Sequence, residues 1–517
     1  MRGIEDIQKL FYDPSSESID LVVKEILGLH SMIQRKTDPQ KGTLPIEKFD
    51  YQSAVEREPI ADSIDFSLEE LADVFDGAVR WHSPLVMYNV TPPPLLSAVS
   101  TAALTQLYNS NIAWDIAAGK VPLIEQKIIR YFAERFGWDW KDAGGSFVFG
   151  GKGTNLYGIK TAVNSIADTS NGMPHDIVVF STKACHPSHI QDCEWLGIGK
   201  NKCVRIDSFS DGTINLEDFA TQFRNYSKNS RIACIMISGG TTMDVVVDHI
   251  DEVIGLRDRL VQETGLSYTP KVHVDSVLGW AWSFFKDYDF ENNPLNIDGG
   301  ALKDVRQISD RLAKLTLADT LGIDFHKTGF APYSSSLFLI KDKKRLYGAT
   351  EISEYGKHTP FKYTIENSRA ATGVMSAYVS LRLLRPEGFR VLFGHLTEMK
   401  RDLQSRLEES GQFEIINSQS LGTSVVFVPK SDDSSMVARV IDVLRQDGNP
   451  YFIDMIPAYS TGSHTINHPA LKAYIMSPFS SRDVNADFVR SLCKIKDYCE
   501  IRVGTAGQPF SEHPLKA

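Results

Sequence analysis

DFHKTGFAPYSSSLFLI, residues 324–340, carries a His-Lys pair, His326-Lys327, at a junction between polar turn residues and an apolar, β-rich run. An ordinary surface lysine titrates near ~10.4 and stays an ammonium. At the margin of an apolar sheet, desolvation favours the neutral amine instead. A neutral primary amine condenses with an aldehyde to a Schiff base. Such dipeptides recur by chance, so the reading turns on what precedes the pair.

From about residue 145 to 340 the chain alternates short β-rich runs with helix-like segments. SFVFG, DIVVFS, CVRID, IACIMIS, KVHVDS and SSLFLI read as strands. Strands separated by helical patterns predict an α/β fold: a mainly parallel central sheet covered by helices on both faces. Residues 1–80 read as a helical N-terminal arm, with Ser15-Ser16 as N-cap and Ile19, Val22, Val23, Ile26, Leu27 and Leu29 as an apolar stripe. Residues 81–370 form the large domain and 371–517 a small α+β C-terminal domain. A long helical stretch from 365 to about 408 links the two. FEIIN, TSVVFVP and AYIMSP are the strands of the small domain, and VARVIDVLRQ and NADFVRSLCKI its helices.

In open α/β sheets ligands collect beyond the carboxyl ends of the strands. Four such ends carry candidate groups. The turn Gly150-Gly151-Lys152-Gly153-Thr154-Asn155 runs from a strand into a helix, where free N–H groups and the helix dipole suit an anion. Its spacing fits neither a Walker loop nor GxGxxG. His186, in ACHPSH, follows a second strand and suits stacking on a flat ring, acid catalysis or a structural bond. Thr241, Thr242 and Asp248 follow a third, where hydroxyls meet a ligand or simply make a turn. Asp275 ends the apolar strand of KVHVDS, where a carboxylate needs a cationic partner.

In this order, GGKGTN, the His of ACHPSH, GGTT with its following Asp, HVDS and HK resemble the pyridoxal-phosphate-dependent group II amino-acid decarboxylases, of the glutamate and aromatic-amino-acid type. The resemblance covers roughly residues 80–380 and extends more weakly to YIMSPFSSRDVNADFV. It implies pyridoxal-phosphate fold type I, the aspartate-aminotransferase-like architecture, with pyridoxal 5'-phosphate as cofactor. It implies that Lys327 carries the cofactor and returns a proton to the substrate carbon, and that His326 contacts the phosphate. Asp275 pairs with the ring nitrogen and His186 stacks on the ring. Gly151, Lys152, Gly153, Thr154 and Asn155 hold the phosphate, and Thr242 contacts a ring substituent. The family's loop tyrosine, a proton donor, corresponds to Tyr355 in RLYGATEISEYGKHTPFKYT, in preference to Tyr347 and Tyr363. The family also implies a homodimer with the active site near the interface.

One departure concerns specificity. Asp275 and Lys327 stand 52 residues apart, a longer connection than in familiar members. The extra material, residues 286–311, is polar and helix-capable and bears on the shape of the pocket. The expected reaction is α-decarboxylation of an L-amino acid, with aspartate or glutamate as substrate. The alternatives are an aromatic-amino-acid decarboxylase, an aldehyde-forming enzyme or carbon–carbon lyase on the same fold, and a non-catalytic homologue.

Composition agrees with an enzyme of small molecules. The 517 residues are 42% hydrophobic and 23% charged, enough for more than one core. A net charge of −10 argues against nucleic-acid binding. No apolar run approaches the roughly 20 residues of a membrane span. The six cysteines show no metal-ligand spacing and read as free thiols, so a cytoplasmic location and no metal are expected.

Overall fold

A computed structural model describes residues 16–35, 55, 67–75, 77–113, 115–347, 364–446, 449–461 and 465–501. Its centre is a seven-stranded sheet: β1 (Gly144–Val148), β2 (Ile177–Thr182), β3 (Cys203–Ile206), β4 (Arg231–Ser238), β5 (Lys271–Asp275), β6 (Thr320–Asp324) and β7 (Ser336–Ile340). The spatial order is β1-β7-β6-β5-β4-β2-β3. Pairing is parallel from β3 through β6, and β7 runs antiparallel to both its neighbours. The strands are buried on both faces, which is why most read as continuous apolar runs rather than alternating ones.

Strand β6 is absent from the sequence reading, and it changes the setting of the His-Lys pair. TLGID pairs in parallel with β5 and delivers the chain directly into His326-Lys327. The pair therefore sits at a carboxyl end, like Asp275, instead of merely preceding β7. Hydrogen bonds close the excursion from β6 to β7. Phe325 N–H donates to Ser335 O, and the Ser336 hydroxyl donates to Asp324 Oδ1 at 2.6 Å.

Helix α1 (Ser16–Arg35) lies in the expected arm and leaves Leu21, Val23, Ile26 and Leu27 about half exposed. Helix α2 (Leu96–Leu107) follows the Pro92-Pro93-Pro94 turn, and α3 (Val121–Arg135) packs beside β1. Helix α4 (Gly151–Asn164) lies across β4 to β7. Its fit to the sheet depends on Gly158, where a Cβ would sit on the His273 ring. Helix α5 (Ser188–Trp195) packs on α4, while α6 (Leu216–Tyr226) and α7 (Ile250–Thr264) pack together further along the chain.

The long connection between β5 and β6 contains α8 (Gly299–Leu312), as its helix-capable composition predicts. Arg401 forks onto Asp304 there, fastening α8 to the 38-residue helix α9 (Thr372–Glu409). Helix α9 starts seven residues later than its pattern suggests and breaks at Arg385, ahead of Pro386, where the ring excludes the helical conformation. Beyond it, β8 (Phe413–Ile415), β9 (Ser424–Pro429), α10 (Met436–Leu444), β10 (Phe452–Ile456), β11 (Ala470–Tyr474) and α11 (Arg482–Ile501) build the small layer. Strand β10 was not anticipated. It pairs in parallel with Val86–Met87, so the small sheet uses both ends of the chain.

Two buried carboxyl groups test this packing. Glu125 of α3, fully buried, accepts from Phe147 N–H and pairs with Arg369 at 2.6 Å. Arg369 also donates to Ser146, stapling the approach to α9 onto β1. Replacing one partner leaves the other charged and unmatched, so Glu125→Gln is expected to cost about 3 kcal/mol, seen as a lower urea midpoint. The Glu125→Leu/Arg369→Leu double variant should recover much of that loss.

Asp192 of α5 is also fully buried, with Lys152 Nζ 3.9 Å away and the Asn155 side chain close by. Burial pushes its carboxyl up to about 7, against the pull of Lys152. A folded-state value above the unfolded one means stability is lost as pH rises from about 4 to about 7. Asp192→Asn removes that loss. Its stability advantage over the wild type should grow by on the order of 2 kcal/mol between pH 5 and pH 8 in parallel urea titrations.

Candidate active site

The carboxyl ends of β1, β2, β4, β5 and β6 open on one cavity of about 370 Å³. Gly151, Lys152, Asn155, His186, Thr241, Thr242, Asp275, His326 and Lys327 line it, with Cys185, Asp324 and Tyr333. Residues separated by up to 182 positions in the chain, Gly151 and Tyr333, thus meet as the sheet rule requires.

Asp275 is 8% exposed and ends the central strand β5. Burial by itself would raise its pKa. The hydrogen bond from His189, and then electrostatic attraction from His189, His273 and Lys327, outweigh this and hold the carboxyl well below its usual range. His189 Nε2 lies 3.1 Å from Asp275 Oδ2, and Asn155 Nδ2 donates to the same oxygen at 3.3 Å. Behind Asn155, His273 Nε2 lies 3.0 Å from Asn155 Oδ1, and His273 Nδ1 lies 2.9 Å from the Thr320 hydroxyl. His273 stands two residues before Asp275, so both side chains project from the same face of β5 towards α4.

Lys327 corrects an expectation. Desolvation does lower its pKa, but contact with Asp324 more than compensates, and the net shift is upward. Nζ lies 2.9 Å from Asp324 Oδ2, whose side chain is 1% exposed. In this geometry the ammonium is favoured, and Asp324 is the group that holds its proton. The i,i+3 spacing that allows this is visible in the sequence. His326 lies between Asp324, 3.5 Å away, and the ring of Tyr333, 4.3 Å between centroids. Burial first, then Lys327, pushes the His326 imidazole down.

His186 faces the same space, and burial lowers its pKa despite the nearby Asp275 charge. Its loop is held by Arg205 of β3, whose Nη2 donates to Lys183 O and Cys185 O. At the glycine turn, Gly150 gives α4 no side-chain cap, so the first-turn N–H groups stay available. Residues 151, 152 and 155 face the cavity. Gly153 and Thr154 turn away: the Thr154 hydroxyl donates to Gly151 O at 2.7 Å, and Thr154 packs on Gly322. Asp248 is a structural joint, accepting from Ser238 N–H and Ile214 N–H at 2.7 Å.

Residues 286–311 contribute nothing to the cavity lining among the described residues; α8 packs on α9 instead. Tyr355 and Tyr363 lie outside the described residues. Tyr333, not singled out from the sequence, lines the cavity, and its hydroxyl lies 3.2 Å from Thr91 Oγ1. Asp324, His189 and Tyr333 are the site groups the sequence reading missed. Among the described residues no cluster of metal-ligating side chains occurs, and no helix is long and apolar enough to cross a membrane.

No protein-family model matches the chain. It is 26% identical over 220 residues to an L-tyrosine decarboxylase of Enterococcus faecalis, covering 38% of this chain and 35% of that protein. It is 25% identical over 261 residues to a probable L-aspartate decarboxylase of Pyrococcus furiosus, covering 50% and 60%. The chain spans less than half the length of the tyrosine decarboxylases it matches. Among solved structures, the glutamate decarboxylase domain of a Vibrio parahaemolyticus diaminobutyrate-pyruvate transaminase and L-2,4-diaminobutyrate decarboxylase superposes with a TM-score of 0.76. That match has 16% identity and covers 96% of this chain and 99% of the other. Mouse CSAD superposes with a TM-score of 0.76 at 15% identity, covering 94% and 99%. The fold is that of the type I pyridoxal-phosphate enzymes, and over part of its length the chain is similar in sequence to amino-acid decarboxylases.

Proposed function

We propose that the chain is a pyridoxal-phosphate-dependent carboxy-lyase that removes the α-carboxylate of an L-amino acid. The observation that carries this is the convergence of Asp275, kept ionised in a buried setting, and Lys327 on one cavity. The donor set fits the cofactor. Asp275 matches a cationic ring nitrogen, and the His186 imidazole offers a flat face. Lys327 supplies a primary amine, and the uncapped start of α4 with Lys152 suits a phosphate.

When bound, pyridoxal phosphate supplies an aldehyde that takes up amines and a ring that accepts the electron pair left by departing carbon dioxide. Asp275, by staying charged, keeps that ring nitrogen protonated. Asp324 takes up the Lys327 proton when the neutral amine is required and returns it afterwards. Decarboxylation of a zwitterionic amino acid consumes one proton at the α-carbon. Lys327 Nζ, the Tyr333 hydroxyl and the His186 imidazole are among the described cavity groups able to deliver it, and Tyr355 is the further candidate from the sequence.

The relatives include tyrosine and aspartate decarboxylases, so the small acidic substrate, aspartate or glutamate, is one of two classes to be separated by assay. We further propose a cytoplasmic homodimer in which α1 buries its apolar stripe. The division into an arm (1–80), a large domain (81–370) and a small domain (371–517) belongs to the same reading.

Purified protein with added cofactor should develop visible absorbance and release carbon dioxide from one substrate class. Lys327→Ala should lose both; absorbance that survives the change would sink the assignment. Tyr333→Phe should lower kcat by about 10²-fold or more if Tyr333 delivers the proton. A panel of aspartate, glutamate, tyrosine and tryptophan, scored by kcat/KM, decides the class. An aromatic amine as best product would overturn the acidic expectation.

A further inference from the structure

Asp275 is not held by the cavity alone. Behind it runs a buried chain of hydrogen bonds that the roles discussed so far leave unused. Arg205 Nη1 donates to Ser181 Oγ at 3.0 Å. Ser181 Oγ lies 2.8 Å from His189 Nδ1, and His189 Nε2 lies 3.1 Å from Asp275 Oδ2. Ser181, His189 and Asp275 are 0%, 0% and 8% exposed.

The ionised Asp275 carboxylate only accepts, so His189 Nε2 carries a hydrogen. Ser181 Oγ accepts from Arg205 and has its own hydrogen to turn to Nδ1 of the singly protonated ring. In that tautomer Nδ1 accepts and the Nε2 hydrogen is aimed at the carboxylate. The same tautomer rule holds in the second branch, where Thr320 faces His273 Nδ1 and His273 Nε2 faces Asn155. Both branches end on Oδ2. Among the described residues the only donor to Oδ1 is Val277 N–H, at 3.4 Å.

We propose that His189, oriented by Ser181 and Arg205, is a positioning residue: it occupies Asp275 Oδ2 and reserves Oδ1 for the ring nitrogen of the cofactor. This rests on the reading that the cavity takes pyridoxal phosphate. Arg205 serves the site twice, because its other nitrogen holds the carbonyls of the His186 loop. One side chain on β3 thus sets both the group facing the ring and the group facing its nitrogen. The arrangement also explains a buried histidine three residues after His186 on a helix with no catalytic role of its own.

The role predicts a dependence on one atom of the ligand. Dissociation constants for pyridoxal phosphate and for its 1-deaza analogue, which has carbon in place of the ring nitrogen, should be measured by fluorescence titration of the apo protein. The wild type should favour pyridoxal phosphate. His189→Ala should weaken pyridoxal phosphate binding by about tenfold or more and leave the analogue within about threefold. His189→Gln, which keeps a donor, should recover part of the loss, and Ser181→Ala should give a smaller loss of the same kind. Retained binding of the analogue shows that each variant is folded. Equal losses for both ligands, or no change for either, would overturn the role of His189 while leaving the cofactor assignment intact. A wild type that binds neither ligand would overturn the cofactor assignment and this role with it.

Discussion

A carboxylate buried at the end of a central strand is the constraint around which this protein is arranged. Taking Asp275 out of water costs several kcal/mol unless donors replace its hydration. The fold supplies them from three directions: His189 on α5, Asn155 on α4 and, one bond further back, His273 on the same strand. Each donor imposes a packing condition of its own. Gly158 must lack a side chain so that α4 can lie against His273. Strand β2 must place Ser181 beneath His189. The charge that serves a ligand in the cavity is therefore also the reason for the exact seating of two helices on the sheet.

Lysine chemistry is arranged on similar lines. Lys327 is not made neutral by isolation; a near neighbour, Asp324, keeps its proton in reach. The two are joined by a short helical turn at the end of β6, and the bond from Ser336 fixes the other oxygen of Asp324. The pairing favours the ammonium, so the neutral amine is reached when that contact is relieved.

Much of this was legible in the sequence, and the gaps have physical causes. The ordered set of strand ends pointed to Asp275, His186, the glycine turn and Lys327, and the structure brings all four to one cavity. Strand β6 escaped notice because TLGID is short, buried on both faces and interrupted by glycine, so it shows no alternation. His189 escaped because its partner stands 86 residues away, and no local pattern encodes that meeting. Within the glycine turn, Asn155 faces the cavity while Thr154 packs on Gly322, because a helix turns about 100° per residue. Tyr333 was passed over for tyrosines in the following loop because a residue just outside a strand carries no periodic signature.

Helix α4 gathers these demands in one element. Its start faces the cavity, Asn155 reaches Asp275, Gly158 admits His273, and Tyr157 bonds both Glu366 and Ile365 N–H ahead of α9. Nine of its 14 residues are buried, and few are free of a specific contact. Most amphipathic helices have a solvent side on which substitutions accumulate without consequence. Helix α4 has almost none, so it should drift least as lineages diverge, even where substrate preference changes around it.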